Sequence, residues 1–511
     1  MRKASQATRK LLPRLADSYP ENREISDLVH NSGREADEGE RTLYNPRSRE
    51  RLDPHWSRRD TLPPQQAIDS GGVVAGVRFR RLDPPHHSVE GGRVRIRPES
   101  AGFIVLLGAC AAMPPLSVDM GQPAMSPIAH ALGSLPAAVA YALSLYMVGF
   151  ATAPVVFGPL SDRFGRRPVL LAGCALFCMA GLGCAVARSM TAFMVWRLLE
   201  GAGAGVGTVL AVAIIRDLFE GQMARARLSY MSVLTSLAPM IAPTLGVWIL
   251  VLGGWRSIYA VLGAIGAGLI VAVGLGLDES VAPHKVQSLA PRQLLANYWR
   301  VLGNRTYRGY ALVSVLNFGC LFAYIAASPL LMINTLGASP RLYAYLFALT
   351  SFGFMVGGVA NGRLNMRGVA PSRLLAAGQA LTMTTSLLLV LLSVMGAATL
   401  ATVTPLLFAI TFACSLVSPN ATMAALHPVP ETAGMASSII ICAQWLLGAA
   451  ASALAGLLFD GHTPRGLAEV MSGFALASLA VYWGFVRPYE RRLHGAELLA
   501  KRAAAGTIEG S

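Results

Sequence analysis

The sequence predicts an all-α integral membrane protein: twelve spanning helices in two six-helix bundles, with both termini cytoplasmic. Three observations carry that expectation. Hydrophobic residues make up 53% of the 511-residue chain, charged residues only 14%, and the mean hydropathy is +0.49, whereas soluble domains carry about 25% charged residues. The deficit is uneven. Residues 1–100 hold 19 Lys+Arg and 15 Asp+Glu, and the rest of the chain only 24 and 13, too few to cover the surface of a soluble globule. From Gly102 onward, apolar runs of about 20 residues, the length a bilayer crossing needs, recur between short polar breaks. A soluble enzyme, a secreted disulfide scaffold and a DNA-binding protein are all disfavoured.

Taken in order, residues 1–100 are rich in Arg, Asp, Glu, Pro and Gly without sustained apolar periodicity. Such a segment buries too little surface to offset its ordering entropy, and it lacks the apolar stretch of a signal peptide. It reads as a disordered basic cytoplasmic extension, or as sequence upstream of a misplaced start. Spans are expected at 102–123, 137–160, 168–187, 191–214, 228–252 and 255–277, the N-terminal bundle (101–277). The longest polar break, 278–307, reads as a cytoplasmic central loop. A second set follows at 308–333, 342–364, 372–395, 398–424, 434–459 and 467–487, the C-terminal bundle (308–487), before a cytoplasmic tail (488–511). Basic residues gather on cytoplasmic loops, and the alternate loops hold 19 Lys+Arg on one side against four on the other: Arg188, Arg256, Arg341 and Arg465. The net charge of +15 is therefore topological, and no nucleic-acid partner is expected. The seven cysteines lie in apolar runs without C-x-x-C spacing, so neither a disulfide framework nor a metal site is indicated.

Two segments share a pattern at an offset of 200 residues. Gly158-Pro-Leu-Ser-Asp162-Arg163-Phe-Gly165-Arg166-Arg167 joins the second and third spans; Gly358-Val-Ala-Asn-Gly362-Arg363-Leu-Asn365-Met366-Arg367 stands at the matching place in the second half. Repeated halves around a central site are how many secondary transporters are built. The first segment matches, at every defined position, the G-x-L-S-D-R-x-G-R-R loop of the major facilitator superfamily, which the chain resembles over about residues 101–490. Ser117-Val-Asp119-Met120-Gly-Gln-Pro123-Ala124, Arg216-Asp217-Leu-Phe219 and Ala238-Pro239-Met-Ile-Ala-Pro243-Thr-Leu-Gly246 are further similar to the Bcr/CflA drug-resistance proton antiporters. Two departures keep the substrate open: Gly121-Gln122 stands where those proteins usually have Tyr-Leu, and Arg197-Leu-Leu-Glu200-Gly201 where the superfamily usually has R-x-x-Q-G.

An ionisable group inside a span is costly and usually marks a transport path. Asp119 is thus a candidate proton carrier or cation site, the alternative being a helix-end aspartate in the outer loop. Arg197 and Glu200, three residues apart on one helix face, neutralise each other, pair Arg197 with Asp119, or form a structural ion pair; the resemblance implicates Arg197 in proton coupling. Asp162 suits a helix N-terminus. By resemblance that helix is the one beginning near Thr432–Gly434, with Arg163, Arg166 and Arg167 on helix-end carbonyls or on Asp217. Gly158, Asp162, Arg163, Gly165, Arg166, Arg167 and Asp217 would then gate the cytoplasmic face; otherwise the arginines only fix topology. Pro239, Pro243 and Gly246 are placed by the resemblance in an antiporter motif where a proline kink serves rocking. Tyr141, Tyr146, Asn317, Phe318, Phe322, Tyr324, Gln444 and Trp445 are weaker pocket candidates, the amides Asn317 and Gln444 ahead of the rings, because an amide in lipid needs a partner. No nucleotide loop or metalloprotease signature occurs.

The expected function is proton-coupled efflux of lipophilic drugs or related small molecules across the bacterial cytoplasmic (inner) membrane by alternating access. It would need no cofactor beyond the proton gradient and would act as a monomer. A carrier for one metabolite on the same fold is the alternative; a membrane sensor or enzyme using the N-terminal tail is a second.

Overall fold

The computed structural model describes residues 96–219, 221–280 and 298–492. The expectations for residues 1–95, most of the central loop and the end of the tail lie outside these. Among the described residues every regular element is helical: α1 Ala101–Gly121, α2 Pro136–Phe164, α3 Arg166–Val186, α4 Met190–Leu218, α5 Gly221–Gly276, α6 Arg305–Pro329, α7 Pro340–Met366, α8 Pro371–Val394, α9 Leu400–Leu426, α10 Ala433–Leu457 and α11 Arg465–Val481. All eleven are long and apolar enough, with their short extensions, to cross a membrane.

Local chemistry sets their starts. Ser100, Ser189, Asn304, Ser339 and Thr399 each accept a backbone N–H of the first turn, satisfying a donor that has no intrahelical partner. Proline opens α2, α7 and α8, where its missing N–H is harmless. The spans expected at 228–252 and 255–277 fall on the two helical arms of α5, which meet at a kink where the backbone leaves helical dihedrals at Gly254 (φ 77°, ψ −179°). Only glycine takes that conformation without strain, so the break lies where the sequence separates the two spans. Through Pro239 and Pro243 the dihedrals of α5 stay helical.

The outer surface is apolar: Trp248, Val251 and Leu252 are exposed, an arrangement water would not tolerate but lipid does. In the first half α1 packs on α5, and α4 on α2 and α3; in the second, α9 packs on α7 and α8, and α6 on α9, α10 and α11. The halves meet chiefly through α2 against α10 and α5 against α7. Ser452 donates to the Ala140 carbonyl at 3.2 Å, Ser126 to Asn334 at 3.0 Å, and Trp445 lies 3.9 Å from the Phe150 ring. These contacts run from mid-bundle to the end at which α1 terminates. The opposite end carries residues 158–167.

Candidate functional site

Between the halves lies a cavity of about 260 Å³ whose wall draws on α1, α5, α6, α7, α9 and α10. Its wall is mainly apolar and aromatic, with Phe322, Tyr324, Phe347 and Trp445 among the rings and Asp119 as its one charged residue. Asp119 is 4% exposed, and no donor bonds its carboxyl among the described residues. It stands on the last turn of α1, before the chain tightens into a 3-10 turn at Gln122–Ala124. Tyr324 and Tyr343 of the other half lie within electrostatic reach of it. A carboxyl so placed, buried and without a bonded donor among the described residues, can take either a proton or a cationic group.

Arg197 and Glu200 sit behind that wall, not in it. Arg197 Nη1 meets Glu200 Oε2 at 2.8 Å and donates to Ser117 Oγ at 2.8 Å; Ser117 in turn donates to Glu200 Oε1 at 2.7 Å. Cys184 Sγ approaches Glu200 Oε2 at 3.7 Å, and the guanidinium lies 4.3 Å over the Tyr146 ring. Glu200 has no exposed surface. Of the three alternatives, Arg197 and Glu200 neutralise each other, away from the cavity, in a closed triad with Ser117, and Arg197 does not pair with Asp119, because Ser117 brings a hydroxyl that satisfies both ions at once.

The amides are likewise taken up locally. Asn317 donates to the Cys414 carbonyl and Ser418, and Gln444 to Ser314. Neither lines the cavity, nor do Tyr141, Tyr146 and Phe318; of the pocket candidates the wall takes Phe322, Tyr324 and Trp445. Pro239 reaches the wall. Pro243 is buried behind it, and Gly246 lets α5 approach α1 so closely that a Cβ would stand 2.2 Å from the Met120 carbonyl oxygen.

The 158–167 segment is held within its own half. Asp162 pairs with Arg166 four residues on, and no residue of α10 bonds it among the described residues, unlike the expected cap on the helix beginning near Thr432. Arg166 also meets Asp217 at 2.9 Å and donates to Ser161 at 2.6 Å. Arg167 donates to the Gly274 carbonyl, and Arg163 lies over the neighbouring Phe164 ring. Gly158 meets nothing that a Cβ would disturb. The acid at a helix N-terminus is instead Glu279, whose carboxylate accepts the Arg166 and Arg167 backbone N–H groups at 2.8 and 3.1 Å. Glu279 was missed in the sequence; an acid directly after a span was the available signal. In the second half the matching end carries amides: Asn420 donates to Asn361 at 2.6 Å and Asn365 to Asn420 at 3.3 Å.

This geometry, two helical halves around one cavity, agrees with the comparisons. A family profile described as Major Facilitator Superfamily matches residues 107–453. The chain belongs to the major facilitator superfamily. It is thus a multi-pass membrane transporter protein, not an enzyme. It is 30% identical over 388 residues to an uncharacterized MFS-type transporter, YdgK, of Bacillus subtilis, covering 75% of this chain and 95% of the relative. It is 26% identical over the same length, with the same coverage, to a bicyclomycin resistance protein homolog of Haemophilus influenzae. Among solved structures, a D-xylose-proton symporter matches with a TM-score of 0.59 at 16% identity, over 75% of this chain and 97% of that one, which speaks for this superfamily's fold alone.

Proposed function

We propose that the protein exports lipophilic small molecules in exchange for protons, by alternating access, in a bacterial cytoplasmic membrane. One observation carries the proposal: Asp119 is a buried, unpaired carboxyl facing a mainly apolar, ring-lined cavity between the two halves. A site of that kind, where rings and apolar side chains outweigh the hydroxyls of Thr235, Ser236, Tyr324, Ser351 and Thr411, suits a lipophilic amine or a neutral drug better than a polar metabolite. The relative named for bicyclomycin resistance supports the same direction of transport.

On this proposal the proton gradient is the sole driving force, no cofactor takes part, and one chain works alone with substrate, protons and lipid. The membrane is crossed twelve times: a straight 56-residue α5 would run about 84 Å, against a hydrocarbon core of about 30 Å, and Gly254 is where it turns back. The basic loops then put both termini and the 158–167 segment in the cytoplasm, and the contacts of Ser126, Ser452 and Trp445 toward the outer side. Asp162, Arg166 and Asp217 would exchange partners as the inner end closes. The test is a drug-susceptibility panel in a host lacking its own pumps, followed by proton movement in proteoliposomes on drug addition. Raised resistance with drug-dependent proton movement is expected; transport indifferent to the proton gradient would contradict it.

A further inference from the structure

Beside the Arg197 triad lies a separate small void of about 20 Å³, walled by α1, α2, α4 and the 255–276 arm of α5. Gln122 lines it, is 1% exposed, and has neither its amide nitrogen nor its amide oxygen bonded. Arg197 lines it too. Its Nη1 serves Ser117 and Glu200, while its other nitrogens have no acceptor among the described residues. Tyr259 completes the polar side, its hydroxyl lying against Gly121; the rest of the wall is apolar. A void needs roughly 10–15 Å³ and two to four polar partners to hold a water, and this one has both.

We infer that the void binds one ordered water molecule, which bridges Gln122 of the α1 break to Arg197 of α4. The water accepts from an Arg197 N–H and donates to the Gln122 amide oxygen. Its second proton goes to the Tyr259 oxygen, or it accepts again from the Gln122 amide nitrogen. A neutral water fits better than an ion: a cation would face the guanidinium, and the Arg197 charge is already neutralised by Glu200. The consequence is a clamp. Arg197 holds α1 on both sides of Asp119, directly through Ser117 and through water at Gln122. The water site itself holds whatever Asp119 does in transport.

A map of the full-length protein fine enough to show buried waters tests this first. Density within hydrogen-bond distance of both Gln122 and Arg197 is expected; a blank void beside other visible buried waters would overturn it. Thermal unfolding of Gln122→Leu and Gln122→Met in the same detergent tests it independently, because the two cases differ in sign. If the void is wet, an apolar side chain removes bonded partners and the transition falls by about 1–2 °C; if it is dry, the same change removes an orphaned amide and the transition rises. A rise in either variant would overturn the assignment. Neither readout involves transport, so the water site and the proposed export stand or fall separately.

Discussion

Arg197 holds a permanent charge at a buried site, and its neighbours explain how. Glu200 neutralises it at 2.8 Å, Ser117 bonds both ions, and the Tyr146 ring takes the guanidinium face. Removing one partner of such a pair leaves an uncompensated charge, at a typical cost of about 3–5 kcal/mol. Glu200→Gln is therefore expected to lower the yield of folded protein and to reduce resistance to cationic and neutral drugs alike, read by expression level and a two-class susceptibility panel. A loss confined to cationic drugs would mean that the carboxylate meets substrate. The three-residue spacing made the pair legible in the sequence, because it is set by one helix. Ser117 was not legible as its third member, since it arrives from 80 residues away. The amides Asn317 and Gln444 misled for a related reason: their need for partners was read correctly, but neighbouring helices meet it, and the cavity takes the rings.

At the level of elements, the turn between α2 and α3 is the clearest case of a motif fixed by backbone geometry. Gly165 has φ 98°, and a Cβ there would stand 2.5 Å from a Glu279 carboxylate oxygen. The glycine is required twice, for its dihedral and for the acid that reaches past it to cap α3. Glu279→Gln removes a charge at a helix N-terminus, worth about 0.3–1 kcal/mol at an exposed site, while Gly165→Ala adds strain and displaces the carboxylate. Hydrogen exchange of the Arg166 and Arg167 amides is expected to quicken in both variants, more in Gly165→Ala. Unchanged protection would mean that Glu279 is a bystander. The sequence showed a tight, charged loop but not its partner, because the acid follows only after three further helices. Element existence and order were otherwise readable from hydropathy, since each lipid-facing span must be apolar over its whole length. The two spans expected at 228–252 and 255–277 are the two helical arms of α5, parted at a single non-helical residue, Gly254.

For the whole molecule, the two halves are zipped from mid-bundle to one end through Ser452–Ala140, Ser126–Asn334 and Trp445–Phe150. Trp445 belongs both to this seam and to the cavity wall, so an occupant of the cavity touches the surface along which the halves separate. A ligand shifts such an equilibrium only by its differential affinity for the two states, and Asp119, the single charged residue in the wall, is where a proton and a substrate would compete. Proteoliposomes carrying Asp119→Asn under an imposed pH gradient test that claim most directly. The variant is expected to fold and insert, to lose uphill drug accumulation, and to keep drug-for-drug exchange down a concentration gradient. Full gradient-driven accumulation by Asp119→Asn would contradict it.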